Sequence, residues 1–480
     1  MSEWRPPRGL KPFAGIIKVS VATVASGDYQ CPAETAMKAR GLKPVMHAAR
    51  GPQESLEDFA FGPFMADLDE EEGVQRGRYP SRRRPMHDGL RAWTANAHAM
   101  YQRAFPVGGE APLLPATIPW VYHRRLRRPD RRGATEYEIS AWGRHLLSSD
   151  GRIRELRLLA HRSDKHRTDG ERSIAALVAA EGGPGPLPDL VRVVQVGLSD
   201  GHIRPLFEGD RGAALALFEE HGRERLEEAV DGTEFRPGTA CTKCSFITVC
   251  PALKPATGLL GINDRPQPRR SWSPTNGRRY VVCPARDHLR RLNLPVEREI
   301  ENSPAAERGR AVHDFLERRH RDEPERRCAP DIPPDWVNPK YTLSDEDQLL
   351  ALQLLRYHAA VCPLRHAQPS SVQVERTLAY HDRAADIIVI TKPDLLYRDQ
   401  NSWVWRELKT RNREKRRSAD LIDGNPQLAL AVLLVGRGDL GGSRTRARIE
   451  LEVLHPGGAD LEIIDPFTPS VREAARAVEQ

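Results

Sequence analysis

Asp394 is followed, after twelve residues, by Glu407-Leu408-Lys409, and Pro393 stands directly before the Asp. If Glu407 and Lys409 share a strand, the two-residue period puts both side chains on one face. An antiparallel return would bring Asp394 within reach of that face. Two carboxylates beside one ammonium suit hydrolysis of a phosphodiester. Carboxylate oxygens hold a hard Mg²⁺ or Mn²⁺, the ion keeps waters that can act as nucleophile, and the ammonium can orient the water and offset charge in the transition state. Glu407 follows Val404 and Trp405 in an apolar run, where a merely superficial Glu–Lys pair would gain little.

A second constellation is Cys241-x-x-Cys244-x₅-Cys250, with Cys31 as a remote fourth candidate. Four soft thiolates suit Zn²⁺ or an iron–sulfur cluster. A structural zinc site ordinarily pairs two close Cys-x-x-Cys units, which this spacing does not do. The seven cysteines are an odd number, and reduced thiols or metal ligands are expected rather than disulfides. Cys283, Cys328 and Cys362 are read as free thiols.

The elements that must position these groups are legible in outline. Helices are expected over 305–319, with Ala311, Val312, Phe315 and Leu316 on one face, and over 344–361, opened by the capping sequence Ser344-Asp345-Glu346-Asp347. Strands are expected over 373–380, 386–397 and 402–410, the last two joined by a turn at Arg398-Asp399-Gln400-Asn401. A helix over 426–435, a strand over 447–454 and a closing helix over 470–478 complete a mixed α/β layer. The Pro-rich stretch 320–345 reads as an insertion loop.

The two halves resemble each other. Cys31-Pro32-Ala33 corresponds to Cys283-Pro284-Ala285, and the same shift of 252 residues carries Glu155-Leu156-Arg157 onto Glu407-Leu408-Lys409. That shift places Trp142 where the second half has Asp394, with Arg144 near it, and Arg157 in place of Lys409. Arg can pair with phosphate but does not shed a proton to water. Between the halves, residues 255–272 are rich in Pro, Gly and Arg and read as a linker, giving domains over 1–254 and 273–480.

Pro393-Asp394…Glu407-Leu408-Lys409 resembles the PD-(D/E)XK nuclease superfamily, in particular its RecB-like branch. Gly309-Arg310-Ala311-Val312-His313 matches that branch's Gly-x-x-x-His helix, and Pro426-Gln427-Leu428 matches its Gln. The Tyr usual four residues after the Gln is Ala431 here. The resemblance implies that His313 joins Asp394 and Glu407 as a metal ligand and that Gln427 positions the catalytic Lys409 or a phosphate. Glu375 reads either as an outer carboxylate or as a solvated strand residue. The cysteine pattern is similar to that of the branch's iron–sulfur members, AddB and the CRISPR-associated exonucleases among them. It implies a [4Fe–4S] cluster on Cys31, Cys241, Cys244 and Cys250, with Zn²⁺ as the alternative. Two tandem restriction-endonuclease-like domains follow, the second catalytic and the first degenerate.

The 480 residues carry 73 Lys and Arg against 66 Asp and Glu, a net charge of +7. That permits a polyanionic partner. Basic runs lie at Arg82 to Arg84, Arg124 to Arg132 and 411–417, and Arg411, Arg413, Lys415 and Arg416 begin two residues past Lys409, where contact with DNA phosphates is expected. No base-reading motif is present, and aromatics make up only 6%. No run approaches 18 apolar residues and no signal-peptide pattern opens the chain, so a cytoplasmic protein with no membrane partner is expected. The expected activity is metal-dependent cleavage of single- or double-stranded DNA, in repair or in defence against foreign DNA. RNA is a further possible substrate, and a silent DNA-binding scaffold of a helicase–nuclease complex is the alternative. No Gly-x₄-Gly-Lys-[Ser/Thr] motif occurs, so a helicase would be a separate chain.

Overall fold

The structure is a computed structural model. It describes residues 7–8, 10, 15–25, 30–44, 61–74, 88–106, 112–127, 134–263, 269–291, 303–330, 332–333, 335–365, 367–411 and 421–479. The chain divides into two compact units, one of residues 1–236, 243–252 and 289–295, the other of 237–242, 253–288 and 296–480.

The first unit holds a five-stranded sheet in the order Leu114–Pro115, Arg144–Leu147, Ile153–Ala160, Leu190–Gly197, Ile203–Gly209. Its central pair is parallel and its other pairs are antiparallel. The crossover joining the parallel pair is the helix Asp169–Glu181, whose Ala-rich middle is wholly buried. Thr168 caps it, accepting from the Glu171 amide while the Glu171 carboxylate takes the Thr168 amide. A three-stranded sheet, Ile16–Ser20, Ala134–Ser140 and Val121–Arg127, belongs to the same unit.

The second unit repeats that connectivity. Its five-stranded sheet runs Gln373–Val374, Leu395–Asp399, Ser402–Thr410, Arg448–His455, Gly458–Ile464, again with one parallel pair in the middle. The crossover is the helix Pro426–Arg437, apolar all round and buried, as a helix covering the middle of a sheet must be. It starts with Pro in the first turn and stops at Gly438, whose φ of 80° is the left-handed conformation that closes a helix. Trp405, Leu451, Val453, Leu430 and Leu434 form the core on that side of the sheet. On the other side the helices Pro304–Asp322 and Asp345–Val361 pack Val312, Leu316, Leu352 and Leu355 around Leu408 and Leu454. Ser303 and Ser344 cap these two helices through their hydroxyls.

The expected elements are present with three corrections. The single strands expected over 373–380 and 386–397 are each broken. Glu375 has a φ of 51° and interrupts the first. Pro393 donates no ladder bond, and the second breaks between Thr391 and Leu395. The strand Gly458–Ile464 was not anticipated, since its apolar Leu461 and Ile463 are exposed and its alternation marks no buried apolar face. Residues 255–272 do not behave as a linker. Lys254–Pro255 and Arg270–Trp272 add to a four-stranded sheet with Leu378–Asp382 and Ile387–Thr391. Ala256, Leu259 and Leu260 are buried, and the Asp382 carboxylate accepts from the amides of Gly258 and Leu260. A side chain more than a hundred positions away thus satisfies backbone that sequence periodicity cannot place.

The turn at Gln400-Asn401 has positive φ at both residues, 47° and 67°, and joins the hairpin strands as expected. No helix among the described residues is long and apolar enough to cross a membrane.

Candidate active site

The site is built at the open end of the Leu395–Asp399 and Ser402–Thr410 hairpin. Leu395 pairs with Arg406, so Asp394 arrives one step further on, opposite Glu407. The break at Pro393 leaves the Asp394 side chain free to turn inward. Its Oδ2 accepts from the Leu408 amide at 2.6 Å, extending the ladder with a side chain and fixing the carboxylate. Its Oδ1 faces His313 Nδ1 at 3.8 Å.

Glu407 is buried, yet every contact of its carboxylate is polar. Oε1 accepts from Trp405 Nε1 at 2.7 Å and from Gln427 Nε2 at 3.0 Å, and Oε2 lies 3.5 Å from Lys409 Nζ. Trp405, Glu407 and Lys409 are alternate residues of one strand, which is why they share a face. Gln427 stands in the first turn of the crossover helix and also donates to the Lys392 carbonyl, so it ties the helix to both strands. Four residues on, Ala431 is completely buried in the apolar core, where a larger side chain would need space the packing does not leave.

His313 comes from the Pro304–Asp322 helix, and the reason that helix can approach is Gly309. A Cβ at Gly309 would meet Thr410 Oγ1 at 2.8 Å. Gly309→Ala is therefore expected to push the helix off the strand, with a loss of about 1–3 kcal/mol of stability. Adding Thr410→Ala should restore most of it, as a double-mutant cycle in urea would show.

The electrostatics follow from burial. Removal from water, with the Asp394 charge beside it, pushes the Glu407 carboxyl up to about 8 despite Lys409, Trp405 and Gln427. Burial likewise raises Glu375 to about 7, with Lys392 opposing at 2.9 Å and Asp394 reinforcing. Burial holds His313 below its ordinary value, leaving it a neutral imidazole with a lone pair to give. The sequence had left Glu375 open between an outer carboxylate and a solvated one; it is partly buried and lines one cavity with His313 and Asp394. What its sequence context could not convey is the left-handed backbone that turns it there.

A carboxyl raised from 4.5 to about 8 holds its proton better in the folded chain than in the unfolded one. Stability is thus expected to fall as pH rises through that window. Glu375, half titrated at about 7, contributes less above that pH than Glu407 does. The decline between pH 7 and 8 in metal-free buffer should therefore flatten in Glu407→Gln, measured by urea unfolding.

Arg411 continues the strand, its amide donating to the Leu454 carbonyl at 2.9 Å. Arg413, Lys415 and Arg416 lie outside the described residues, as do Arg82 to Arg84 and part of the Arg124 to Arg132 run.

Among the cysteines, Cys31 caps the helix Pro32–Ala39 and packs with Cys244 against Ala33, Met37 and Phe246. Three sulfurs accept backbone amides: Cys31 from Arg236 at 3.4 Å, Cys241 from Gly238 at 3.3 Å, and Cys244 from Phe246 at 3.4 Å. Cys31 Sγ also lies 3.8 Å from the Glu234 carbonyl, to which it donates as a thiol. Cys250 follows the short helical turn Ile247–Val249.

In the first unit, Arg144 pairs with Arg157, and Leu146 stands across from Glu155. The fixed shift of 252 does not superpose the two hairpins: Glu155 and Arg157 face Tyr101, on the side of the sheet away from the crossover helix, whereas Glu407 faces its crossover helix through Gln427. Arg157 closes on Glu155 at 2.6 Å and on the Tyr101 hydroxyl at 2.8 Å.

Two further cysteines and two histidines were missed as a group. His320, Cys328, His358 and Cys362 converge, all buried. The close spacing His358-x₃-Cys362 was the one local signal available.

Residues 271–480 match the family model of the PD-(D/E)XK nuclease superfamily. Members of that superfamily are mostly nucleases, and those nucleases use divalent metals. The matched span contains Asp394, Glu407, Lys409, Gln427 and His313. No curated protein matches the chain. Among solved structures, one titled "Crystal structure of SSO0001" is similar at 12% identity, over 42% of this chain and 83% of that chain, with a TM-score of 0.18.

Proposed function

We propose that the protein is a divalent-metal-dependent DNA nuclease whose chemistry is carried by residues 273–480. The observation that supports this most directly is the pairing of Asp394 with a buried Glu407 that has Lys409 as its ammonium partner. Two carboxylates and one ammonium leave a charge deficit that a dication would fill. Asp394 Oδ1, Glu407 Oε2 and the neutral imidazole of His313 are the groups that would hold Mg²⁺ or Mn²⁺, since the other carboxylate oxygens are engaged by amide, indole and Gln427 donors. The ion would polarise the scissile phosphate and supply an activated water. Lys409 Nζ, held at the edge of the site by Glu407, orients that water and meets the developing negative charge. Gln427 keeps Glu407 turned toward Lys409. The basic residues at 411–417 are read as phosphate contacts along the path of the strand.

The first unit is read as a degenerate relative of the second. Its support is the shared strand order, with one parallel pair joined by a buried crossover helix in each sheet. The iron–sulfur assignment to Cys31, Cys241, Cys244 and Cys250 rests on their spacing and on the amide donors to three of the sulfurs, with Zn²⁺ as the alternative ligand. Repair or defence against foreign DNA is the setting this activity suits.

The deciding assay is cleavage of labelled single- and double-stranded DNA with Mg²⁺ or Mn²⁺. Wild type should cut and Glu407→Ala should not. Absence of cutting with any metal, while DNA still binds, would favour a scaffold subunit working beside a separate helicase.

A further inference from the structure

We infer that His320, Cys328, His358 and Cys362 form a structural zinc site, made of other residues than the nuclease centre and than Cys31, Cys241, Cys244 and Cys250. One ligand atom from each lies within 4.8 Å of all the others, and all four residues are buried. Cys328 Sγ is 3.4 Å from His320 Nε2, and His358 Nε2 is 3.2 Å from that same nitrogen. A tetrahedral zinc with bonds of about 2.0–2.1 Å to nitrogen and 2.3 Å to sulfur has ligand–ligand edges of about 3.3–3.8 Å. Those two separations are of that size, and every other one stays within 4.8 Å.

The protonation pattern around His358 points the same way. Its Nδ1 lies 2.6 Å from Glu452 Oε1, and Glu452 is itself held by Arg406 through Oε2 at 2.7 and 2.9 Å. A carboxylate so placed accepts a hydrogen bond from Nδ1–H, which with zinc bound would leave Nε2, the atom facing His320, as the ligating nitrogen. This is the carboxylate–histidine–metal arrangement that fixes the tautomer of a ligating imidazole. The Cys328 amide approaches Cys362 Sγ at 3.5 Å, a donor suited to a thiolate. Two imidazoles and two thiolates form a closed, soft donor set with no open position, which selects zinc over Mg²⁺ and a structural over a catalytic role.

The placement in the chain says what such an ion would hold. His320 is in the last turn of the Pro304–Asp322 helix, His358 is in the last turn of Asp345–Val361, and Cys362 caps that helix. Cys328 belongs to the intervening Pro-rich stretch, which carries no helix or strand among its described residues. Zinc would staple that stretch to the ends of both helices and supply order that its own backbone does not.

The test uses the full chain, purified without chelator and dialysed, with zinc counted by elemental analysis. Wild type should carry one zinc more per chain than Cys328→Ser/Cys362→Ser, and Cys31→Ser should keep that zinc. Equal zinc in wild type and the double variant, or none in wild type, overturns the assignment. Should the double variant not fold, the zinc-edge X-ray absorption of the Cys31→Ser protein decides it. A shell of two sulfurs and two nitrogens is expected, and its absence overturns the site. Alkylation of the unfolded, unreduced protein gives a further check. Both cysteines should be modified once the metal is removed, whereas a Cys328–Cys362 disulfide would refute the inference.

Discussion

Lys409→Ala is expected to lower DNA cleavage by about 10²–10³-fold while leaving DNA affinity essentially unchanged. Lys409 is the one ammonium paired with Glu407, at 3.5 Å, and it is not needed to hold the strand, whose ladder to Arg448–His455 continues through Thr410. In the role proposed for it, Lys409 acts on the reacting water and on the charge that develops on phosphate, so truncation would remove an interaction made chiefly in the transition state. Single-turnover cleavage and equilibrium binding on the same oligonucleotide separate the two effects. Binding lost in step with cleavage would reassign Lys409 to substrate contact. Lys409→Arg keeps the charge but not a titratable amine, and a rate recovered by Arg would restrict the residue to electrostatics.

Arg406→Leu should destabilise the fold by about 3–5 kcal/mol, the largest effect expected of any single substitution on stability. Arg406 is buried on the face of the strand opposite Glu407. It donates to Glu450 Oε2 at 2.7 Å, to Glu452 Oε2 at 2.7 and 2.9 Å, and to the Val361 carbonyl at 2.7 Å. Removing it leaves two carboxylates in the interior with too few partners and frees the last carbonyl of a helix. The guanidinium stays charged because the two carboxylates outweigh the cost of its burial. Urea unfolding at neutral pH measures the loss, and a change below about 1 kcal/mol would show that Glu450 and Glu452 find other partners.

The strand Ser402–Thr410, read as catalytic, is legible from sequence to the residue, and the helices that bear His313 and Gln427 to within three residues at each end. These depend on local signals: an apolar run, a turn sequence, a capping serine, a first-turn proline. The site residues within them are legible for the same reason, since period two and a hairpin already bring Asp394, Glu407 and Lys409 together. What escapes are relations made at a distance. Asp382 ordering the Gly258–Leu260 turn, Glu375 turned inward by a positive φ, and the four-residue His/Cys group spanning 320 to 362 leave no periodic trace. The match of Glu155 to Glu407 at a constant shift fails because the two side chains lie on opposite faces of their sheets, which a sequence shift cannot reveal.

His313 and His320 lie seven residues apart on one helix, close to two full turns and hence nearly on one stripe, about 10 Å from each other. One imidazole faces Asp394 and the other the buried thiol of Cys328. The Pro304–Asp322 helix is therefore a rod pinned at its far end, and the depth to which His313 reaches toward the carboxylates is set by where that pin sits. Loosening the anchor at His320 lets the rod slide or roll, and the near end, with no contact altered there, loses its alignment.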